Sequence, residues 1–205
     1  GVEFSQSPEA LNQFFRAITR DTSPADADVS ASASAKLLDK IGPSVLVTHS
    51  QGAGPGWRTV AKTKNVKAIV SYEPGSQFIF PIGEVPEGGA ATGNCPTCGS
   101  GPYGVPLADF LPLTKIPIVL FYGDNIASSP STDTGKELWR NAQALAYKWA
   151  DAVNKRGGDV TIVKLPSLAI KGNTQFPMSD TNNVQVADKM SDWLRKKGLD
   201  TYARR

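Results

Sequence analysis

Histidine is nearly missing from this chain: His49 is the only one in 205 residues. A zinc site built on imidazoles therefore has too few donors. Cysteine is almost as scarce, with two residues in the stretch Cys95-Pro96-Thr97-Cys98. One CxxC and one histidine do not complete a four-ligand zinc site. A thioredoxin-like redox motif should follow a strand and open a helix, whereas this one lies in the Gly/Pro-rich loop GGAATGNCPTCGSGPYGVP. A local structural disulfide is the first reading, free thiols the second, and redox chemistry the last. A disulfide would imply an oxidising compartment, secreted or periplasmic. No apolar run reaches the length that spans a bilayer, so no membrane segment is expected. An excess of one charge is also lacking. With 22 Lys+Arg against 19 Asp+Glu and no basic stripe interleaved with aromatics, a nucleic-acid partner has little support. No motif calls for a cofactor.

What is present is ordinary globular material. Forty per cent of residues are hydrophobic and 20% charged, and the length suits one domain with a sizeable core. No signal peptide stands out, and the opening GVEFSQSPEALNQFF reads like the middle of a domain. Helical spacing of Leu11, Phe14, Phe15 and Ile18 predicts a helix over 8–19, with Pro8 in its first turn. A polar loop over 21–30 leads to a second helix over 31–41, stopped by Gly42-Pro43. The run SVLVTH reads as a buried strand, followed by a helix over 55–63. KAIVSYE and IPIVLFYGD are two more buried strands, separated by a long Gly/Pro-rich excursion over 75–115. A loop of that length is usually functional or covers something. Phe78, Phe80 and Tyr103 are candidate pocket liners within it, or plain loop packing. A helix over 134–156, a fourth strand DVTIVKLP and a last helix over 183–197 complete the chain. In the last helix, Val184, Val186, Ala187, Met190, Trp193 and Leu194 predict one buried face. Trp57, Trp139 and Trp149 also fall on helix faces and read as core. Strands alternating with helices, each strand a near-continuous apolar run, predict an α/β fold: a mostly parallel sheet covered on both faces.

The stretch LVTHSQGAGPGW places Ser50 between a strand and a helix. That is the position of a nucleophile elbow, a sharp turn that holds its serine in a strained conformation at the top of the sheet. The motif here is T-x-S-x-G, with Thr48 and Gly52 as the small residues on either side. The Gln51 backbone N–H would face a developing oxyanion at the helix N-terminus. Glu73 and Asp124 close two of the strands, and strand C-termini line the active edge of such sheets. Either could orient a base; spacing alone leaves both open. His49, adjacent to Ser50, is a poor base, because alternate residues of a strand point to opposite faces.

The blocks THSQGAGPGW, KAIVSYEPG, IPIVLFYGD and KGNTQFPMSDTNNVQVADKMSDWL resemble, in the same order, a group of secreted-type microbial esterases of the α/β-hydrolase superfamily. The resemblance covers nearly the whole chain and is most specific in SYEPG and in the GNT-FP-SD-NN-VAD pattern. It implies Ser50 as the nucleophile and Glu73 as the acid, rather than Asp124. The catalytic histidine of the group falls in GNTHFP, and this chain has Gln175 at that position. A glutamine amide fills the space of an imidazole but does not act as a base near neutral pH. The group also has earlier strands that complete the sheet and supply a second oxyanion donor. The resemblance therefore implies a second chain or segment that supplies the N-terminal half of the fold. A sheet ending at SVLVTHS would otherwise leave an apolar edge, as in a truncated relative or a chain that pairs with itself along that edge.

Three function classes follow. The first is a serine esterase acting on a small-molecule ester through an acyl-enzyme, impaired by Gln175. The second is a non-catalytic small-ligand-binding protein on a degenerate hydrolase fold. The third is another enzyme on the same scaffold, such as a lactonase or amidase, since fold does not choose among these.

Overall fold

A computed structural model describes residues 4–19, 26–75, 77–86 and 101–201. Cys95 and Cys98, with the disulfide expected of them, lie outside the described residues. The chain, read above as one domain, divides into two compact units. The larger comprises Ala25–Tyr122 and Ile126–Lys164; the smaller comprises Gly1–Pro24, Gly123–Asn125 and Leu165–Arg205.

The larger unit is built on a four-stranded parallel sheet. Its strands are β1 (Ser44–His49), β2 (Val66–Tyr72), β5 (Pro117–Tyr122) and β6 (Asp159–Lys164), in that spatial order. The two central strands, β2 and β5, form from apolar runs because both of their faces are buried. Ile69, Ile118, Leu120 and Tyr122 belong to the main core, while Val70, Tyr72, Val119 and Phe121 are buried on the opposite face. There the Tyr72 and Phe121 rings stack at 5.3 Å. Spatial order follows chain order, so each crossover moves the same way, and right-handed crossovers of that kind place their helices on one face. The crossover helices are α3 (Ala53–Lys62), the short α4 (Leu107–Phe110) and α5 (Thr134–Asn154). Trp57 of α3 and Trp149 of α5 meet with ring centroids 4.5 Å apart, and Phe78 lies 5.9 Å and 5.3 Å from them. All three are fully buried. Trp139 of α5 is half-buried, and its ring lies close to Gly75.

Two expectations need correction here. The second helix, α2 (Ala27–Ile41), begins four residues before the expected start. Asp26 caps it, accepting from the N–H groups of Asp28 at 2.9 Å and Val29 at 3.0 Å, so acidic residues that read as loop are its first turn. The 75–115 excursion is not wholly irregular. It contains α4 and a small parallel pair, β3 (Ile79–Pro81) with β4 (Tyr103–Val105), whose three-residue strands are too short to show a period. Phe78 and Phe80 within it are core residues, the second of the two readings given for them. Tyr103 is half-buried and lies under the Arg58 guanidinium, 5.4 Å from the ring centroid.

The smaller unit contains α1 (Pro8–Ala17) and α6 (Asn183–Lys196). Ser7 caps α1 by accepting from the Ala10 N–H at 3.2 Å, and Pro8 occupies the first turn. Phe14 packs on Phe4 and Phe176, with centroids at 5.1 Å and 6.3 Å, while Phe15 and Ile18 are exposed. In α6 the buried line is narrower than expected. Val186 and Trp193 are buried with Met190 half-buried between them, while Val184 and Ala187 turn to solvent. Positions 186, 190 and 193 repeat at helical spacing, and 184 and 187 lie off that line.

Truncating a large aromatic at the centre of such a core removes buried area and leaves a cavity. Trp149→Ala is expected to lower the stability of the larger unit by about 3–5 kcal/mol. Denaturant unfolding of the two proteins side by side checks it.

Candidate active site

Ser50 follows β1 directly and opens a short 3₁₀ turn, Ser50–Gly52, that runs into α3. Its φ is +51°, in the left-handed region that a residue with a Cβ seldom adopts. Glu73 follows β2 directly and has φ +46°. The two positions are linked by sheet register. β1 and β2 are parallel, with Thr48 opposite Ser71 and His49 opposite Tyr72. The next residues of the two strands, Ser50 and Glu73, therefore leave neighbouring strand ends at the same edge of the sheet. Left-handed non-glycine residues of this kind cost on the order of 1–3 kcal/mol each and cluster at functional sites.

Glu73 is 3% exposed. Its backbone is tied down on the far side by its N–H, which donates to the Phe121 carbonyl at 2.9 Å. Next to it, the buried Tyr122 hydroxyl donates to the Pro74 carbonyl at 2.9 Å. Burial first, then the charges of Glu73 and Tyr147, push the Tyr122 hydroxyl well above its ordinary pKa. Tyr122 thus stays a neutral donor and holds the turn that carries Glu73. Below the elbow, the Thr48 hydroxyl donates to Ser71 Oγ at 2.8 Å across the strand pair. Thr48 faces α3, where a Cβ on Gly56 would come within 2.8 Å of its Cγ2. His49 consequently points to the other face of the strand, away from α3. Gln51 lies in the first turn after Ser50. The N–H groups of a helix's first turn have no acceptor within the helix, so that of Gln51 is suited to an anionic oxygen.

Crowding at the elbow is not where it was expected. A Cβ on Gly52 would meet nothing within 4 Å, whereas one on Gly54 would lie 1.9 Å from Gln77 Oε1. The helix closes on its neighbours one turn after Ser50, not two residues after it. Gln77 is a residue that sequence reasoning missed. It has φ +62°, is 6% exposed, and its Oε1 has no hydrogen-bond partner among the described residues. Nothing in the pattern EPGSQF distinguishes a buried amide from a loop amide.

In the smaller unit, Gln175 sits in a loop built around a buried carboxylate. Asp180 is 1% exposed, and its two oxygens accept from the Thr174 hydroxyl at 2.8 Å, the Thr174 N–H at 2.9 Å and Asn173 Nδ2 at 3.0 Å. Asn173 also donates to Asn182 Oδ1 at 2.7 Å, and the Thr174 hydroxyl accepts from the Phe176 N–H at 3.0 Å. The residues on both sides of Gln175 are thereby fixed, and Gln175 itself is half-buried. Asp124, the alternative acid, belongs to this unit. Its oxygens accept from the backbone N–H groups of Gly172 and Asn125, each at 3.0 Å. Those bonds, Gly172 first, then Asn125, with Lys171 adding, hold its carboxyl below the ordinary range. It works as a brace for the loop that precedes Gln175.

No family model matches the chain. It is 28% identical over 192 residues to a fungal protein named "Probable secreted lipase", a match covering 85% of this chain and 52% of that one. A solved structure of a novel bacterial esterase superposes with a TM-score of 0.67 and 27% identity, covering 92% of this chain and 49% of that one. The chain thus spans about half the length of these relatives. Its mostly parallel sheet with helices is an α/β fold that matches an esterase structure. No helix among the described residues is long and apolar enough to cross a membrane.

Gly54→Ala is expected to cost about 1–3 kcal/mol, because its Cβ must displace a buried side chain. In a Gln77→Gly background the cost should fall below about 1 kcal/mol, a coupling that a double-mutant cycle of unfolding free energies measures. Asp124 supplies a pH test. Its folded pKa is depressed, so its stabilising effect is complete above the unfolded value of about 3.9 and is lost as pH falls through the folded value. The stability gap between wild type and Asp124→Asn should be constant at neutral pH and close below about pH 4 in an acid titration followed by circular dichroism.

Proposed function

We propose that this chain is part of a secreted carboxylic ester hydrolase of the α/β-hydrolase type, acting on a small-molecule ester. The Ser50 hydroxyl oxygen attacks the ester carbonyl carbon. The Gln51 N–H stabilises the oxyanion of the tetrahedral intermediate. Collapse of that intermediate expels the alcohol, which leaves with the proton given up by Ser50, and the acyl-serine is hydrolysed by water to the acid and the restored Ser50 hydroxyl. In this reading Glu73 is the acid of the triad, and Gln175 stands at the position of its base. The observation that carries this reading is the pair of left-handed residues at adjacent ends of parallel strands: a serine entering a helix, and a buried glutamate beside it. The lipase and esterase relatives point to the same general chemistry.

Gln175 is the limiting member. An amide donates and accepts hydrogen bonds but does not take the Ser50 proton, so turnover is strongly reduced. The same residue favours the second reading, a ligand-binding protein that keeps the pocket and not the reaction.

β1 supports a proposal about completeness. It is the edge of the described sheet, and its Val47 is 54% exposed. An apolar parallel edge of this kind takes a further strand, supplied by a second segment or chain.

Fluorophosphonate labelling followed by intact mass measurement tests these points. Wild type should label slowly or not at all. Gln175→His should label and should raise the ester hydrolysis rate about 10²–10⁴-fold, the usual contribution of a general base. Failure of both proteins to label would favour the ligand-binding reading. A second mass in the spectrum of the natural preparation would identify the segment that completes β1.

A further inference from the structure

The larger unit carries a groove at the opposite end of its sheet from Ser50. Ser50 and Glu73 follow the C-terminal ends of β1 and β2. The groove lies where β2 and β5 begin, between the last turn of α3 and the segment from α4 to Ile116. Its volume is about 720 Å³. The floor is apolar: Val60, Val66, Leu111, Pro112 and Ile116. Val60 and Val66 are nearly buried, at 6% and 3% exposure, so the floor is continuous with the core. The rim is basic, formed by Lys62, Lys64, Lys67 and Lys115, and no acidic residue lines the groove.

The four lysines are not equivalent. Lys62 is paired with Asp28 at 3.0 Å, and the Lys67 ammonium donates to the Lys64 backbone carbonyl at 3.4 Å. The nearby Asp39 is engaged by the Thr63 hydroxyl at 2.5 Å and Asn65 Nδ2 at 3.0 Å. Lys64 and Lys115 have no carboxylate within ion-pair distance among the described residues. Lysine stems usually lie along apolar surface with their heads in water, which explains one or two such residues over a floor. It does not explain an open groove whose two unpaired ammonium groups come from opposite walls, one from the α3–β2 turn and one from the turn before β5.

We infer that this groove binds a long-chain alkyl carboxylate. The alkyl chain lies against Leu111, Pro112 and Ile116, the accessible part of the apolar floor. The carboxylate sits between the ammonium groups of Lys64 and Lys115. A purely apolar ligand would gain nothing from the rim, and a small anion would gain nothing from the floor. The two features together select an amphiphile with a single anionic head. This inference does not rest on the esterase reading, and its test uses no turnover.

Sodium dodecanoate, kept below its micelle concentration, is titrated calorimetrically into the full chain at low salt. Saturable one-to-one binding is expected, with the same affinity in a Ser50→Ala protein. Lys64→Glu combined with Lys115→Glu reverses two exposed charges and should weaken binding roughly tenfold or more. Ala108→Trp, at an exposed position on the groove wall, should block the floor and abolish binding. Butanoate and dodecyltrimethylammonium, which keep the head or the chain alone, should bind at least tenfold more weakly. The inference is overturned if dodecanoate does not bind, if the cationic amphiphile binds as well, or if the charge reversal leaves affinity unchanged. It is also overturned if the protein associates with phosphatidylglycerol vesicles but not with monomeric dodecanoate, since the basic face would then be a membrane-docking surface.

Discussion

Parallel pairing of β1 with β2 is the constraint from which the candidate site follows. Strands that run the same way end at the same edge, so their last residues must both turn there. With His49 opposite Tyr72, the two turning residues are Ser50 and Glu73, and both have positive φ. Glycine would relieve the strain at either position at no steric cost. The chain instead keeps a hydroxyl at one and a carboxylate at the other. A strained backbone under a side chain capable of chemistry is evidence that the side chain matters, because only the side chain is lost in the easier alternative. The strain is sustained by buried strand pairing on one side and by the Trp57–Phe78–Trp149 cluster under α3 on the other.

The approach of α3 to the sheet is set by its glycines. At Gly56 the helix rests against Thr48, and at Gly54 it rests against Gln77. The first contact fixes the height of the helix over β1. The second joins the helix to the segment that follows Glu73. A single turn of α3 thus touches β1 at Thr48 and the loop after Glu73 at Gln77. The orphaned Gln77 carbonyl is the weak point of this arrangement. A buried acceptor without a donor costs roughly 1–3 kcal/mol, and it persists because glycine at 54 leaves the amide somewhere to fit.

The legible parts of the chain were those with a long repeated signal. Four apolar runs read as strands, of which the two central ones, β2 and β5, are buried on both faces, and Gly42-Pro43 marked a helix end. The place of Ser50 between a strand and a helix was legible because an apolar run precedes it and a glycine-rich turn follows. Glu73 was not separable from Asp124 by position alone, since each ends a strand. Their environments differ: Asp124 is engaged by two backbone N–H groups of its loop, while Glu73 is almost fully buried beside Tyr122. The start of α2 was lost because a capping aspartate and a loop aspartate look alike in sequence. β3 and β4 were lost because three residues carry no period. Asp180 was visible as a letter in a resembling block, but its burial depends on partners six and seven residues away.

The loop around Asp180 separates position from chemistry. Its hydrogen bonds run from Asn173 and Thr174 to Asp180, from Asn173 to Asn182, and from Phe176 to Thr174. Position 175 is flanked by this network on both sides. Burying a carboxylate and two amides is costly unless nearly every lone pair is satisfied, and these are satisfied almost entirely within the loop. The backbone on both sides of 175 is therefore held by its neighbours. A glutamine or a histidine would be presented from the same point. Under the proposed function, a substitution at 175 would change proton chemistry and leave this loop's architecture in place.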